Sequence, residues 1–177
     1  MFENFWNDTP GKDPPSHKAP SKYHSSPQMS KSAGPKNVPF APQLTPKEML
    51  DLGVFGGWYF KGDTSEYPSD WFKEAKISTV GFNVHLNYFK VASGQPLTVW
   101  LKKGWITPED PIGWFQWYCR YFLGRRLPGV DDFQIRRWKT FGPRHLGGIK
   151  ANCKPGDLSC RPRQRQALLQ WAYDALI

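Results

Sequence analysis

The chain is predicted to fold as a mainly α-helical, compact multi-helix domain around one buried aromatic helix, preceded by a disordered tail and containing at most a small β-hairpin. Three observations predict this. Residues 114–122 place six aromatics in nine positions, so that a helix there leaves only Gln116 and Arg120 polar; a helix apolar around most of its circumference is buried on several sides. Helix start and stop signals then recur along the chain at short spacing, with short loops between them. Only residues 78–95 show any period-two alternation.

The elements follow in order. Residues 1–44 are dominated by Pro, Ser, Lys, Gly and Asn and cannot bury enough surface to offset ordering entropy. Phe2, Phe5 and Trp6 stand out there as a candidate docking motif for a protein partner. A single domain, 45–177, opens at Thr45-Pro46-Lys47-Glu48, which combines an N-cap, a proline at the first helical position and a capping-box Glu. Residues 53–60 form a turn too rich in glycine for a stable helix, and Ser69-Asp70 can cap a short helix carrying Trp71, Phe72, Ala75 and Ile77. Val80, Phe82, Val84 and Leu86 alternate with polar or small residues, which predicts a loop or a small hairpin.

Residues 96–103 read as a short helix stopped by Gly104. Asp110 is expected to cap the aromatic helix, with Pro111 in its first turn and Gly124 as its stop. The next helix is capped by Asp131 or Asp132, buries Phe133, Ile135, Trp138 and Phe141, and is interrupted at Gly142-Pro143; residues 144–152 continue as a separate piece. Asp157 or Ser159 caps the last helix, whose core face is Leu168, Leu169, Ala172, Tyr173 and Leu176.

Charge is distributed unevenly. Residues 111–177 hold twelve Lys/Arg against four acids, and all nine arginines of the chain. That asymmetry points to a phosphate-rich partner, or else to a solvated basic surface. Nine tryptophans require N–H partners if buried. Of three cysteines, Cys119 is a core residue on the aromatic helix; Cys153 and Cys160 can close a loop disulfide, although the odd count and the absence of a signal-peptide pattern favour a reducing, intracellular setting, cytoplasmic or nuclear. No stretch is apolar over the length of a membrane span.

Three stretches carry a resemblance: residues 45–57, Gly113-Trp114-Phe115-Gln116-Trp117-Tyr118-Cys119-Arg120-Tyr121, and Cys160-Arg161-Pro162-Arg163-Gln164-Arg165-Gln166-Ala167-Leu168-Leu169-Gln170-Trp171-Ala172-Tyr173-Asp174. They resemble a family of small, basic, Trp-rich proteins of unassigned function. The resemblance runs from about Thr45 to the C-terminus and implies one domain, with no activity or site residue to carry across.

Chemical signatures are sparse. The histidines are scattered, Cys153 and Cys160 lack the paired spacing of a zinc site, and no phosphate loop or nucleophile elbow is present, so no metal, cofactor or catalytic residue is assigned. Asp131 and Asp132 are adjacent, and helix capping accounts for them. The function expected is non-enzymatic binding of DNA or RNA. Its expected residues are Arg125, Arg126, Arg136, Arg137, Lys139, Arg144, Arg161, Arg163 and Arg165, because arginine pairs bidentately with phosphate and stacks on bases. Arg120, inside the aromatic helix, is expected to be structural. The alternatives are a protein-interaction module with a Trp-lined groove, and an enzyme with an unfamiliar pocket.

Overall fold

Helix α1, Pro46–Leu52, begins as its sequence dictates. Thr45 Oγ1 accepts the Glu48 N–H at 3.2 Å, and the Glu48 carboxylate accepts the Thr45 N–H at 2.7 Å. Both orphan donors of the first turn are thereby satisfied. The computed structural model describes residues 39–177. Phe2, Phe5, Trp6 and most of the expected tail lie outside that range. The last residues assigned to the tail belong to the domain instead. Phe40 sits among the rings of Trp117, Tyr118, Tyr121 and Trp138, and Gln43 and Leu44 both donate backbone N–H groups to Ala172 O.

Four more helices complete the described residues: α2, Leu97–Lys102; α3, Trp114–Phe122; α4, Pro128–Lys150; and α5, Pro162–Leu169. Short 3-10 turns occupy Phe55–Gly57, Ser69–Phe72 and Val84–Leu86. No strand forms among the described residues; the nearest approach is an isolated bridge between Thr107 and Asp110. The architecture is mainly helical, around a buried aromatic cluster.

Helix α3 is the post of that cluster. Residues Trp114 to Cys119 are all buried. The polar atoms this brings inside find partners, as buried polar groups must. Trp117 Nε1 donates to Asp131 at 2.8 Å, Tyr118 OH to Leu44 O at 2.7 Å, and Tyr59 OH to Ile112 O at 2.7 Å. Helix α3 starts at Gly113 rather than Asp110, with no side-chain cap. An orphan N–H of its first turn, that of Gln116, is instead accepted by Tyr59 OH at 3.1 Å, while the Gln116 side chain accepts the Ile112 N–H just before the helix at 3.1 Å.

The alternation in residues 78–95 builds a loop. Its backbone is held by bonds to the glycine turn, from Ser78 N–H to Gly57 O, Asn83 N–H to Gly56 O and Tyr88 N–H to Gly53 O, and by amide side chains of α5 and just beyond it: Gln166 Oε1 accepts Phe89 N–H and Gln170 donates to Ser93 O. Val80, the first apolar residue of the alternation, is 87% exposed.

Several helix boundaries are corrected. Helix α4 runs through Gly142-Pro143 as one 23-residue helix. Its N-cap position is Leu127, with no side-chain cap, so neither Asp131 nor Asp132 is the cap expected; Asp131 lies in the first turn and accepts the Leu127 N–H at 2.8 Å, and Asp132 stays exposed. Helix α5 has Arg161 at its N-cap position, with φ near 55°; Asp157 instead closes its own turn by accepting from Ser159. Helix α5 also ends early, at Leu169, so Ala172 and Tyr173 are buried from irregular chain and Leu176 is exposed. Ser69-Asp70 likewise opens only a 3-10 turn, with Pro68 at its N-cap position.

Candidate nucleic-acid interface

The nine cations predicted to meet phosphate divide into an inward group, an outward group and Arg126 between them. The inward group begins at Asp110, which is wholly buried, a position a carboxylate tolerates only when paired. Arg125 Nη2 reaches it at 2.6 Å and Arg120 Nη1 at 3.0 Å, and Arg120 also holds Glu66 at 2.7 Å. Arg120 is therefore structural, as expected; Arg125 is drawn into the same cluster and away from solvent phosphate. Arg137 is corrected too. Its guanidinium donates to Trp105 O and Gln134 Oε1 and lies 5.1 Å from both the Trp105 and Trp171 rings. Burial pushes it down to about 10, which leaves it charged at neutral pH.

Arg165 is corrected most strongly. It is 0% exposed and donates to four backbone carbonyls, those of Cys160, Asp157, Ala175 and Ile177. It ties the start of α5 to the segment that follows it. A guanidinium suits this because its planar fork presents five donors at fixed angles. Arg126 is intermediate: it is exposed, yet it lies 3.8 Å over the Tyr121 ring and donates to Tyr121 O.

The outward group lies on α4 and at the start of α5. Arg136, Arg144 and Lys150 are exposed on α4 and Lys139 is half-buried; Arg161 and Arg163 are exposed on α5. With Lys154, residues 136–163 carry eight Lys/Arg against a single acid, Asp157. Two devices bring the α5 end onto the α4 end. Cys153 and Cys160 form the loop disulfide that their spacing allows, and Cys119 is the free, buried cysteine. The Gln164 amide lies over Gly148, where an added Cβ would meet Nε2 at 3.1 Å, and Arg161 Nη1 donates to Gln164 Oε1 at 2.8 Å. At 1.5 Å per residue, Arg136 and Lys150 stand about 20 Å apart along α4, so the basic surface is elongated.

Sequence reasoning missed His145 as part of this surface. It follows Phe141 by four residues, so both side chains lie on one side of α4. Their rings stack at 3.9 Å, and His145 Nδ1 lies 3.0 Å from Phe141 O. Burial, aided by the neighbouring Arg144, pushes its pKa below the usual histidine value.

A separate groove of about 470 Å³ lies far along the chain from these cations and is lined by Trp58, Tyr59, Phe60, Phe72, Lys76 and Ile77, among others. Among the described residues no group of three or more His, Cys, Asp or Glu side chains is placed to hold a metal ion, and no helix is long and apolar enough to cross a membrane. Comparison with protein-family models, with curated proteins and with solved structures gives no match at the significance applied.

Proposed function

We propose that this protein binds nucleic acid without catalysing a reaction on it, through the basic surface formed by the outer side of α4 and the start of α5. The observation that carries the reading is the concentration of exposed cations there: Arg144, Lys150, Lys154 and Arg161, with Arg136 and Arg163 also exposed and Lys139 half-buried, in a stretch whose acid is Asp157. Arg125, Arg137 and Arg165 are not among the contacts proposed. A row of cations on a rigid helix suits a polyanion, because neutralising successive phosphates releases their condensed counterions. Either DNA or RNA fits the charge, and an intracellular place, cytoplasmic or nuclear, goes with such a ligand.

Binding to fluorescent single- and double-stranded oligonucleotides across a salt series tests the reading. The logarithm of affinity should fall linearly with the logarithm of salt, with a slope of about 0.7 to 0.9 per phosphate contacted. The Arg144→Glu, Lys150→Glu double variant should bind at least about tenfold more weakly and melt as the parent does, since both side chains are exposed. Absence of binding at low salt would sink the proposal.

The groove at Trp58 supports a second reading, a protein-interaction module. Its aromatic lining suits an apolar side chain of a peptide. Capture of a peptide that Trp58→Ala abolishes, with nucleic-acid binding absent, would favour it.

A further inference from the structure

We propose that the face of His145 turned away from Phe141 is a stacking platform for one unpaired base of a single-stranded nucleic acid. The inference rests on the nucleic-acid reading above and names the part of the ligand that the site distinguishes.

Five rings form one column through the domain. Tyr118 stacks on Trp114 at 5.2 Å, Trp114 on Trp171 at 4.8 Å, Trp171 on Phe141 at 4.6 Å, and Phe141 on His145 at 3.9 Å. The angles between successive planes are 21°, 29°, 13° and 18°. The column starts on a buried helix and ends at His145, which is half-buried and on which no second ring stacks among the described residues. Face-to-face geometry is thus held by packing up to a last ring that still meets solvent. A planar aromatic laid on that ring continues the column, and every nucleobase has such a face.

The surroundings favour a nucleotide over another planar group. Gly148 follows His145 by three residues and Arg144 by four, so all three lie on one flank of α4. Gln164 covers Gly148 from α5 and is bonded to Arg161. Arg144 and Arg161, both exposed, therefore flank the platform, where the phosphates on either side of a stacked base would run.

The imidazole acts here as a surface and not as a cation. A carbonyl can only accept, so the contact with Phe141 O puts a proton on Nδ1. With its pKa held down by burial, the ring is neutral at physiological pH and offers phosphate no charge. A duplex keeps its bases stacked on each other and gains nothing from the platform.

The test compares the parent, His145→Ala and His145→Phe by fluorescence anisotropy at fixed low salt. The probes are a single-stranded DNA oligonucleotide, an abasic strand of the same length, and the matching duplex. His145→Ala should bind the single strand about fivefold or more weakly, and the abasic strand and duplex as the parent does. His145→Phe, which keeps a flat ring, should restore the single-strand affinity. Equal affinity of parent and His145→Ala for the single strand overturns the platform and leaves the phosphate reading standing. Equal losses on all three probes overturn it as well, because they assign His145 to the fold or to charge; cooperative melting of His145→Phe reports the fold independently. Failure of the parent to bind any probe overturns both proposals.

Discussion

At the residue scale, the positions that matter most are those where one atom more or less decides the packing. Gly142 is one. A Cβ built there would lie 2.0 Å from Tyr173 Cζ. The ring has little room to retreat: it is stacked 4.5 Å from Trp138 at 9°, and its hydroxyl donates to Trp138 O at 2.9 Å. Replacing a mid-helix glycine by alanine would by itself favour the helix by about 1 kcal/mol. Overpacking a fixed core costs about 1–3 kcal/mol, and with so short a contact the clash wins. Gly142→Ala should lower the urea midpoint, with a net loss of up to about 2 kcal/mol. A midpoint at or above that of the parent would show that the Tyr173 ring yields. Asp110 illustrates the opposite demand. It is tolerated at zero exposure because two guanidinium groups satisfy it, and the same pairing commits Arg125 to an internal carboxylate.

At the element scale, the junction of α4 and α5 shapes the basic surface, and two independent devices hold it. The Cys153–Cys160 bridge closes an eight-residue ring, with the cysteines seven apart in sequence. In the chain-entropy picture a loop of that size stabilises the fold by about 2.5 kcal/mol. Arg165 holds the same turn from inside through the carbonyls of Asp157 and Cys160. The Cys153→Ser, Cys160→Ser variant should lose about 2 kcal/mol in denaturant titration yet keep its helical circular dichroism. Loss of the helical signal would show that Arg165 cannot hold α5 alone. Elements with local signatures were legible in the chain. The capping box at Thr45 and the aromatic run of α3 announce themselves within a few residues, and their patterns are those found. What was hidden depends on distant partners. Gly142-Pro143 reads locally as a break, and nothing nearby tells that Tyr173 needs the space. Residues 78–95 alternate like a strand but form the loop that was one of the two expectations, and what sets the form of that loop was not legible, because the amides of Gln166 and Gln170 that help to hold its backbone lie more than seventy positions away. The cations were identified correctly by type but not by direction, since an arginine that enters the core is written with the same letter as one that leaves it.

At the scale of the whole molecule, the aromatic core that organises the fold also sets its response to alkali. Tyr59, Tyr67, Tyr118 and Tyr173 are all buried, and burial pushes the pKa of each phenol above its usual value near 10. In the unfolded chain these phenols ionise at a pH of about 10. Above that pH the unfolded state gives up protons that the folded state keeps, so the unfolded state binds fewer protons and stability falls as pH rises. Below it both states are protonated and the four phenols add no pH dependence. Stability should therefore be level with respect to these groups up to about pH 9 and decline steeply from about pH 10 upward. The measurement is an alkaline titration that follows tyrosinate absorbance and tryptophan fluorescence together. The buried phenols should ionise only in the transition that shifts the fluorescence, because the four hydroxyls reach solvent when the tryptophans do. If all the tyrosines ionised smoothly near pH 10 while the fluorescence stayed native, the phenols would be accessible without unfolding, and the aromatic cluster would be looser than a single cooperative core.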